Sequence, residues 1–328
     1  MSDGILLVVA LTGLIATWAA TGLVLTLLRR HAVLDRPNER SSHATPRPRG
    51  AGLAVIVVFA LGWAAAALFL AAPFEPVILA AVVGLAAVSW FDDLRGLPVG
   101  VRLLAHLAAV VAGLSAFPPE LMVFQGLLPP LVDRIAAGLL WLWFVNLYNF
   151  MDGIDGIAGV ETLAIAIGAS VCATLAVIAP FPYAATVLIG AGAAGFLTWN
   201  WQPARIFLGD VGSVPLGFLT GWLLLLLALH GSWIAAVIVP LYYLADATLT
   251  FLKRLVRGEK VWRAHASHFY QQAARRSGSH ARVAGAIAVA DALLIASAGV
   301  AAAGYAPIAC LIFAAAVVGV LLWYFGRP

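Results

Sequence analysis

Apolar residues run through this chain in long blocks, separated by short connections that carry most of its Gly, Pro, Arg and Asp punctuation. Blocks without strict alternation predict membrane-crossing helices, since a helix satisfies its own backbone and needs about 20 apolar residues to span the hydrocarbon. Eleven spans are expected: 4–28, 51–72, 76–91, 103–117, 134–150, 157–179, 183–199, 213–229, 232–252, 283–304 and 307–325, the third to fifth being short. The predicted fold is an all-α polytopic transmembrane bundle, one integral-membrane domain over residues 1–328. No 20–50-residue repeat and no pair of broken helices in corresponding halves is visible.

Charge sets the orientation. Connections at 29–50, 92–102, 146–156, 200–212 and 253–282, with the C-terminus, carry 18 of the 19 Lys and Arg residues; Arg134 alone falls on the other side. The positive-inside rule makes those connections cytoplasmic, with the N-terminus outside and the C-terminus inside. The first span is not expected to be a cleaved signal, because Met1 to Gly4 holds Asp3 and no base, while Arg29 and Arg30 follow the apolar run. Outward connections are mostly short turns, apart from 118–133, so function is expected to face the cytoplasm.

Composition narrows the class further. Hydrophobic residues make up 63% and charged residues 10%, against roughly one quarter charged in soluble proteins, and the mean hydropathy is +1.00. The net charge of +4 lies in membrane-flanking segments, which suits anionic lipid and not nucleic acid. Cys172 and Cys310 lie in apolar runs and read as packing residues, so thiolate and redox chemistry are not indicated.

Polar residues beside lipid are costly and therefore informative. Eight of the fifteen acids, Asp35, Glu39, Asp92, Asp93, Asp152, Asp155, Asp210 and Glu259, gather at the cytoplasmic rim, where they repel one another unless a cation is present. Asp92 and Asp93 end the third span about 100° apart on a helix, so one faces the bundle and one the water or a ligand. Asn146, Asn149, Asp152 and Asp155 recur every third residue, which on a helix gives a stripe of oxygen donors suited to Mg²⁺. In the segment 205–213, Asp210 lies between Gly209 and Gly212 ahead of Ser213, a pattern that offers amide donors and a carboxylate to a magnesium-bridged diphosphate.

The connection 253–282 holds Arg263, His265 and His268, read as phosphate donors; thiolates and an H-E-x-x-H pattern for zinc are missing. Lys253, Arg254, Arg257, Arg275 and Arg276 read as juxtamembrane anchors. Asp246 is expected to face the bundle in support of the site. Glu161 and Asp291 read as buried, paired or protonated groups, and His106 as structural. A transporter of an anionic solute using Glu161, Asp246 and Asp291 is the rival reading, opposed by the crowding of acids at one rim.

The ordered motifs D-R-P-N-x-R-x-x-H-x-x-P-x-P-R-G-x-G from Asp35, D-D at Asp92, N-x-x-N-x-x-D-G-x-D-G from Asn146 and F-x-G-D-x-G-S from Phe207 resemble the polyprenyl-phosphate N-acetylhexosamine-1-phosphate transferases. The match spans residues 35 to about 272, and an eleven-span layout is similar to the O-antigen-initiating branch. The resemblance implies transfer of an N-acetylamino-sugar-1-phosphate from a UDP-sugar to undecaprenyl phosphate, with release of UMP. It also implies Mg²⁺, with Mn²⁺ as a substitute, the plasma membrane of a bacterium, and room for a homodimer. Carried over by motif, Asp210 is the principal metal ligand, with Asn149 or Asp152 beside it. Asp92 orients or deprotonates the lipid phosphate and Asp93 supports it. Asp155 contacts uracil and Phe207 stacks on it, while Asn146, Arg49 and Arg263 bind substrate. His265 and His268 serve the diphosphate or sugar. The run from His265, H-x-S-H-F-Y-Q, is similar to the subgroup that uses dideoxy N-acetylamino sugars; a UDP-GlcNAc enzyme is the alternative within the family.

Overall fold

The computed structural model describes residues 1–31, 33–35, 45–260 and 265–327. Among them the chain forms helices α1 (Asp3–Arg30), α2 (Gly52–Leu70), α3 (Pro76–Arg95), α4 (Val99–Leu114), α5 (Pro130–Met151), α6 (Ile157–Leu175), α7 (Tyr183–Asn200), α8 (Asp210–Leu229), α9 (Trp233–Ile238), α10 (Leu241–Val256), α11 (Phe269–Ser277), α12 (His280–Ala302) and α13 (Pro307–Gly326). Two short antiparallel strands, β1 (Leu34–Asp35) and β2 (Arg47–Pro48), precede α2. Eight helices, namely α1, α2, α3, α5, α6, α8, α12 and α13, are long and apolar enough to cross a membrane, and α4 is a shorter apolar helix. The protein is a polytopic membrane bundle.

Residues of α8 from Val211 to Leu229 are all buried except Leu226, which makes α8 the central helix. Its entrance packs on α2 backbone to backbone: a Cβ on Gly52 would lie 2.2 Å from Gly212 N, a distance no side chain tolerates. The α1 and α7 helices run parallel, since Gly13 meets Leu188, Gly195 meets Leu14, and Gly22 meets Trp199. Among the elements themselves, the structure departs from the expected spans mainly at the ninth, which is not continuous. It breaks into α9 and α10 around Val239 and Pro240, where proline removes a backbone donor.

Opposite the site, the connection 115–129 is held by the first turn of α5. The buried Asp133 carboxylate accepts amide hydrogens from Val123 (3.0 Å) and Phe124 (2.8 Å). Arg134 donates to the carbonyls of Leu114, Phe117 and Pro118. The one base expected on that side thus anchors a loop.

Candidate functional site

Backbone pairing brings the first motif to the last. Phe207 N–H donates to Pro48 O (2.9 Å), while Gly50 and Ala51 amides donate to Phe207 O (both 3.0 Å). This parallel bridge of Arg49 with Phe207 delivers the Arg49 guanidinium to Asp210 Oδ1 and, at 3.1 Å, to Asp93 Oδ1. Burial lowers the basicity of Arg49, but Asp210, Asp93, Asp35 and Asp152 outweigh it and hold the charge more firmly than usual.

Asp93 faces inward and caps α8. It accepts the amides of Asp210 (3.2 Å) and Val211 (3.0 Å), two of the orphan donors of a helix start. Gly209, just before, has φ +78°, and a Cβ there would come within 2.8 Å of Asp93 Oδ2. Only glycine turns the chain into α8 at that point without displacing the cap. Ser213 lies inside α8, not at its start as the motif suggested, and its hydroxyl donates to Asn149 Oδ1 (2.7 Å).

Asp92 faces the other way, as the 100° spacing requires. Leu97 N–H donates to its Oδ1 (2.6 Å) and Arg102 Nη1 lies 3.1 Å from Oδ2. Arg102 also lies 3.8 Å from Asp210 Oδ2. The two oxygens of Asp210 are therefore divided between two arginines, Arg49 on one side and Arg102 on the other. Sequence reading did not single out Arg102; its place ten residues after Asp92, in the first turn of α4, was the available signal.

A cavity of about 570 Å³ opens on the Arg102 side. Asp92, Asn146, Asn149, Asp210, His265 and His268 line its polar end together with Arg102 and His106. Its remaining wall is apolar and comes from α3, α4, α5, α8 and α10, with Leu85, Leu103, Leu139, Leu142, Trp143 and Phe251.

The expected stripe of four donors is not continuous. Helix α5 ends at Met151, so Asn146 and Asn149 point into the cavity while Asp152 and Asp155 leave the helix line. Asp152 is half-buried beyond the helix, where burial together with Asp210, Asp93 and Asp155 pushes its carboxyl up to about 7 against the pull of Arg49. Asp155 turns away to the 201–209 loop and accepts Ala204 N–H (2.9 Å). His280 Nδ1 lies 3.2 Å from both its amide nitrogen and its Oδ1. Burial raises the Asp155 carboxyl, but His280 and the Ala204 amide outweigh it and hold it below its ordinary value. Phe207 is half-buried on the Arg49 side and does not line the cavity. Arg263 lies outside the described residues.

The histidines are positioned by Asp246, which is fully buried. Its carboxylate accepts Phe269 and Tyr270 amides (both 3.1 Å) and the Tyr242 hydroxyl (3.0 Å), and it lies 3.1 Å from His268 Nδ1. The His268 side chain also accepts the N3 amide at the start of α11, so the ring is held from two directions. His265 stacks on His268 at 4.9 Å, and its Nδ1 faces the Ser267 hydroxyl at 2.8 Å. Burial first, then the neighbouring His268 and Arg254, push His265 down to about 4, so it is neutral near pH 7. Tyr270 donates to Phe150 O (3.0 Å) and ties this segment to the end of α5. Gly153 permits that contact, because a Cβ there would meet Tyr270 Oη at 2.2 Å.

Of the two states expected for Glu161 and Asp291, paired or protonated, the paired one is not seen: among the described residues their carboxyl oxygens have no hydrogen-bond partner. Neither lines the cavity that holds Asp210, so the transporter reading gains no path.

In this membrane bundle carboxylates, arginines and histidines cluster at one end of a cavity whose remaining wall is apolar, an arrangement that suits an enzyme of charged groups carried on apolar chains. Comparison with known proteins agrees. Residues 76–228 match the family model described as glycosyl transferase family 4, a segment that holds Asp92, Asn149 and Asp210. The chain is 24% identical over 278 residues to a probable undecaprenyl-phosphate N-acetylglucosaminyl 1-phosphate transferase of Bacillus subtilis, covering 81% of this chain and 76% of the relative. It is 27% identical over 314 residues to the decaprenyl-phosphate N-acetylglucosaminephosphotransferase of Mycobacterium leprae, covering 85% and 79%. It is also 27% identical over 294 residues to the phospho-N-acetylmuramoyl-pentapeptide-transferase of Bifidobacterium animalis, covering 72% and 79%. The chain is a phospho-sugar transferase of glycosyl transferase family 4.

Proposed function

We propose that the protein transfers an N-acetylamino-sugar-1-phosphate from a UDP-sugar to undecaprenyl phosphate and releases UMP, the step that initiates O-antigen or a related envelope polysaccharide. The observation that carries this reading is Asp210, flanked by an arginine on each side at the point where a polar cavity end becomes an apolar groove. We take the chain as one domain of eleven passes in a bacterial plasma membrane, with α9 and α10 forming one pass and the site cytoplasmic. The relatives' names favour UDP-GlcNAc as the first donor to test; the histidine motif favours dideoxy N-acetylamino sugars.

The donor set fits Mg²⁺. Asp210, Asn149 and Asp152 offer oxygen donors of the kind Mg²⁺ takes, and burial first, then the neighbouring Asp210, Asp93 and Asp155, raises the Asp152 carboxyl. Among the described residues no three acids or histidines converge as a protein-only metal cage. One or two carboxylates shared with substrate phosphates is the usual Mg²⁺ arrangement. When bound there, the ion lowers the repulsion between donor diphosphate and acceptor phosphate. Each pair of unit charges 4 Å apart repels by about 4 kcal/mol at an effective dielectric near 20, so charge neutralisation is the main task.

The residues divide the work. On the Arg49 side, Phe207 and the Asp155 loop take the uridine, and Arg49 screens the diphosphate. On the Arg102 side, the groove takes the isoprenoid chain and Arg102 meets the acceptor phosphate. Both oxygens of Asp92 are occupied, so it orients Arg102 more than it removes a proton. Asp93 holds Asp210 through the α8 cap, and His268 and neutral His265 offer nitrogen to the diphosphate or sugar. A phosphate monoester is largely ionised near neutral pH, so direct in-line attack needs no strong base. The test is UMP release and lipid-linked product from purified protein with undecaprenyl phosphate, Mg²⁺ and a panel of UDP-N-acetylamino sugars. Product abolished by EDTA and by D210A supports the reading. Absence of product together with no binding of either substrate removes it.

A further inference from the structure

Helix α4 carries a second polar side chain into the cavity four residues beyond Arg102, about 6 Å further along the axis at 1.5 Å per residue. This is His106, which the sequence placed among buried structural groups. It is buried and lines the cavity wall where the polar end gives way to Leu103, Leu139 and Leu142.

A short chain of hydrogen bonds fixes which nitrogen faces the cavity. Asn146 Nδ2 donates to Leu142 O at 2.7 Å, which fixes the amide orientation and leaves Oδ1 toward His106. An amide oxygen only accepts, so the His106 nitrogen 3.3 Å away, Nδ1, carries a proton. Nε2 has no hydrogen bond among the described residues and is not one of the fully buried unpartnered atoms, so it opens to the cavity.

Position decides which substrate this nitrogen meets. Arg49 and Phe207, assigned above to the nucleotide, do not line the cavity; Arg102 and Asp92 do, and so do His265 and His268, assigned to the diphosphate or sugar, so the polar end is where the two substrates meet and the apolar wall, where His106 sits, is left to the lipid. A lipid whose chain occupies the apolar wall places its head group between His106 and Asp210. We propose that His106 is a further acceptor-binding residue, its Nε2 contacting the terminal phosphate of the polyprenyl phosphate at the neck of the groove. The inference rests on the transferase reading above and deepens it.

The chemistry suits a monoester and not the donor. A phosphate monoester has a second pKa of about 6, so it presents a P–OH or a dianion. With Nδ1–H held on Asn146, Nε2 accepts a hydrogen bond from the P–OH form. A sugar diphosphate diester has no comparable P–OH near neutral pH. The contact therefore separates polyprenyl phosphate from polyprenol, without itself acting on the sugar.

Two substitutions separate this role from mere support of Asn146. His106→Asn keeps an N–H at the Nδ1 position but has nothing that reaches the cavity; His106→Gln keeps reach but gives up the Asn146 contact. H106N is expected to raise KM for undecaprenyl phosphate about tenfold, the effect of one hydrogen bond to a charged group, with KM for the UDP-sugar within twofold of wild type. Its direct binding of undecaprenyl phosphate in detergent should weaken by a similar factor while undecaprenol binding is unchanged. H106Q should bind undecaprenyl phosphate more tightly than H106N. Wild-type acceptor KM and binding in H106N, equal loss for both substrates, or the reverse order of the two variants overturns the inference and leaves the transferase intact. A wild-type protein that neither binds undecaprenyl phosphate nor releases UMP overturns both.

Discussion

Single residues carry opposite electrostatic assignments within a few ångströms. Asp92 and Asp93 are adjacent, yet one holds Arg102 at the cavity and the other caps α8 with Arg49 beside it. Replacing Asp210 by Ala removes the group both arginines share, and kcat should fall by at least about 100-fold, measured as UMP release with substrate binding followed separately. Asp246 acts through His268. D246N is expected to lower kcat by about 10- to 100-fold, in the range seen when a partner that orients a functional histidine is removed, and to shift the pH profile more than KM for the donor. Unchanged kcat in D246N would remove His268 from the chemistry.

Asp155 gives a pH prediction of definite sign. Its folded carboxyl lies below the ordinary 3.8, so the stability it contributes is complete above that value and is lost as pH falls through the lowered one. Melting curves of D155N and wild type in detergent should therefore differ near pH 5 by an amount equivalent to about 1–3 kcal/mol and converge in strong acid. A gap that persists unchanged into strong acid would contradict the lowered carboxyl.

At the scale of elements, the site depends on helix ends meeting without side chains between them. Helix α8 starts against α2 at Gly212 and Gly52, and the histidine segment docks on the α5 end at Gly153. G52A forces backbone apart where Asp210 is presented, and overpacking of this kind costs about 1–3 kcal/mol. Thermal unfolding should show that loss, and activity should fall by more than stability predicts because Asp210 moves. The spacing of Asn146, Asn149, Asp152 and Asp155 was legible in the sequence, but it described a longer helix than the one that forms. Helix α5 stops at Met151, and Asp155 is claimed by an amide from the 201–209 loop, a partner 49 residues away that periodicity cannot register.

For the whole molecule, the proposed eleven passes with the N-terminus outside predict a definite labelling pattern. With Cys172 and Cys310 replaced, single cysteines at Glu120 or Gly231 should react with an impermeant thiol reagent added outside intact cells. Cysteines at Gly96, Arg205 or Gly258 should react only after permeabilisation. Reversed labelling would place the site on the outer face and exclude a cytoplasmic UDP-sugar.

The sequence by itself determined the membrane bundle, most of its span boundaries, and the candidate acids, Arg49 and the histidine pair of the motifs, because hydrophobic blocks and short motifs are local properties. Tertiary structure decided how they combine: which oxygen of Asp210 faces which arginine, that Arg102 and His106 line one cavity with Asp210, that Asp246 holds His268, and that the ninth span breaks at Pro240. These arrangements arise between residues tens to more than a hundred positions apart. Burial and hydrogen-bond satisfaction select them only once the helices have packed.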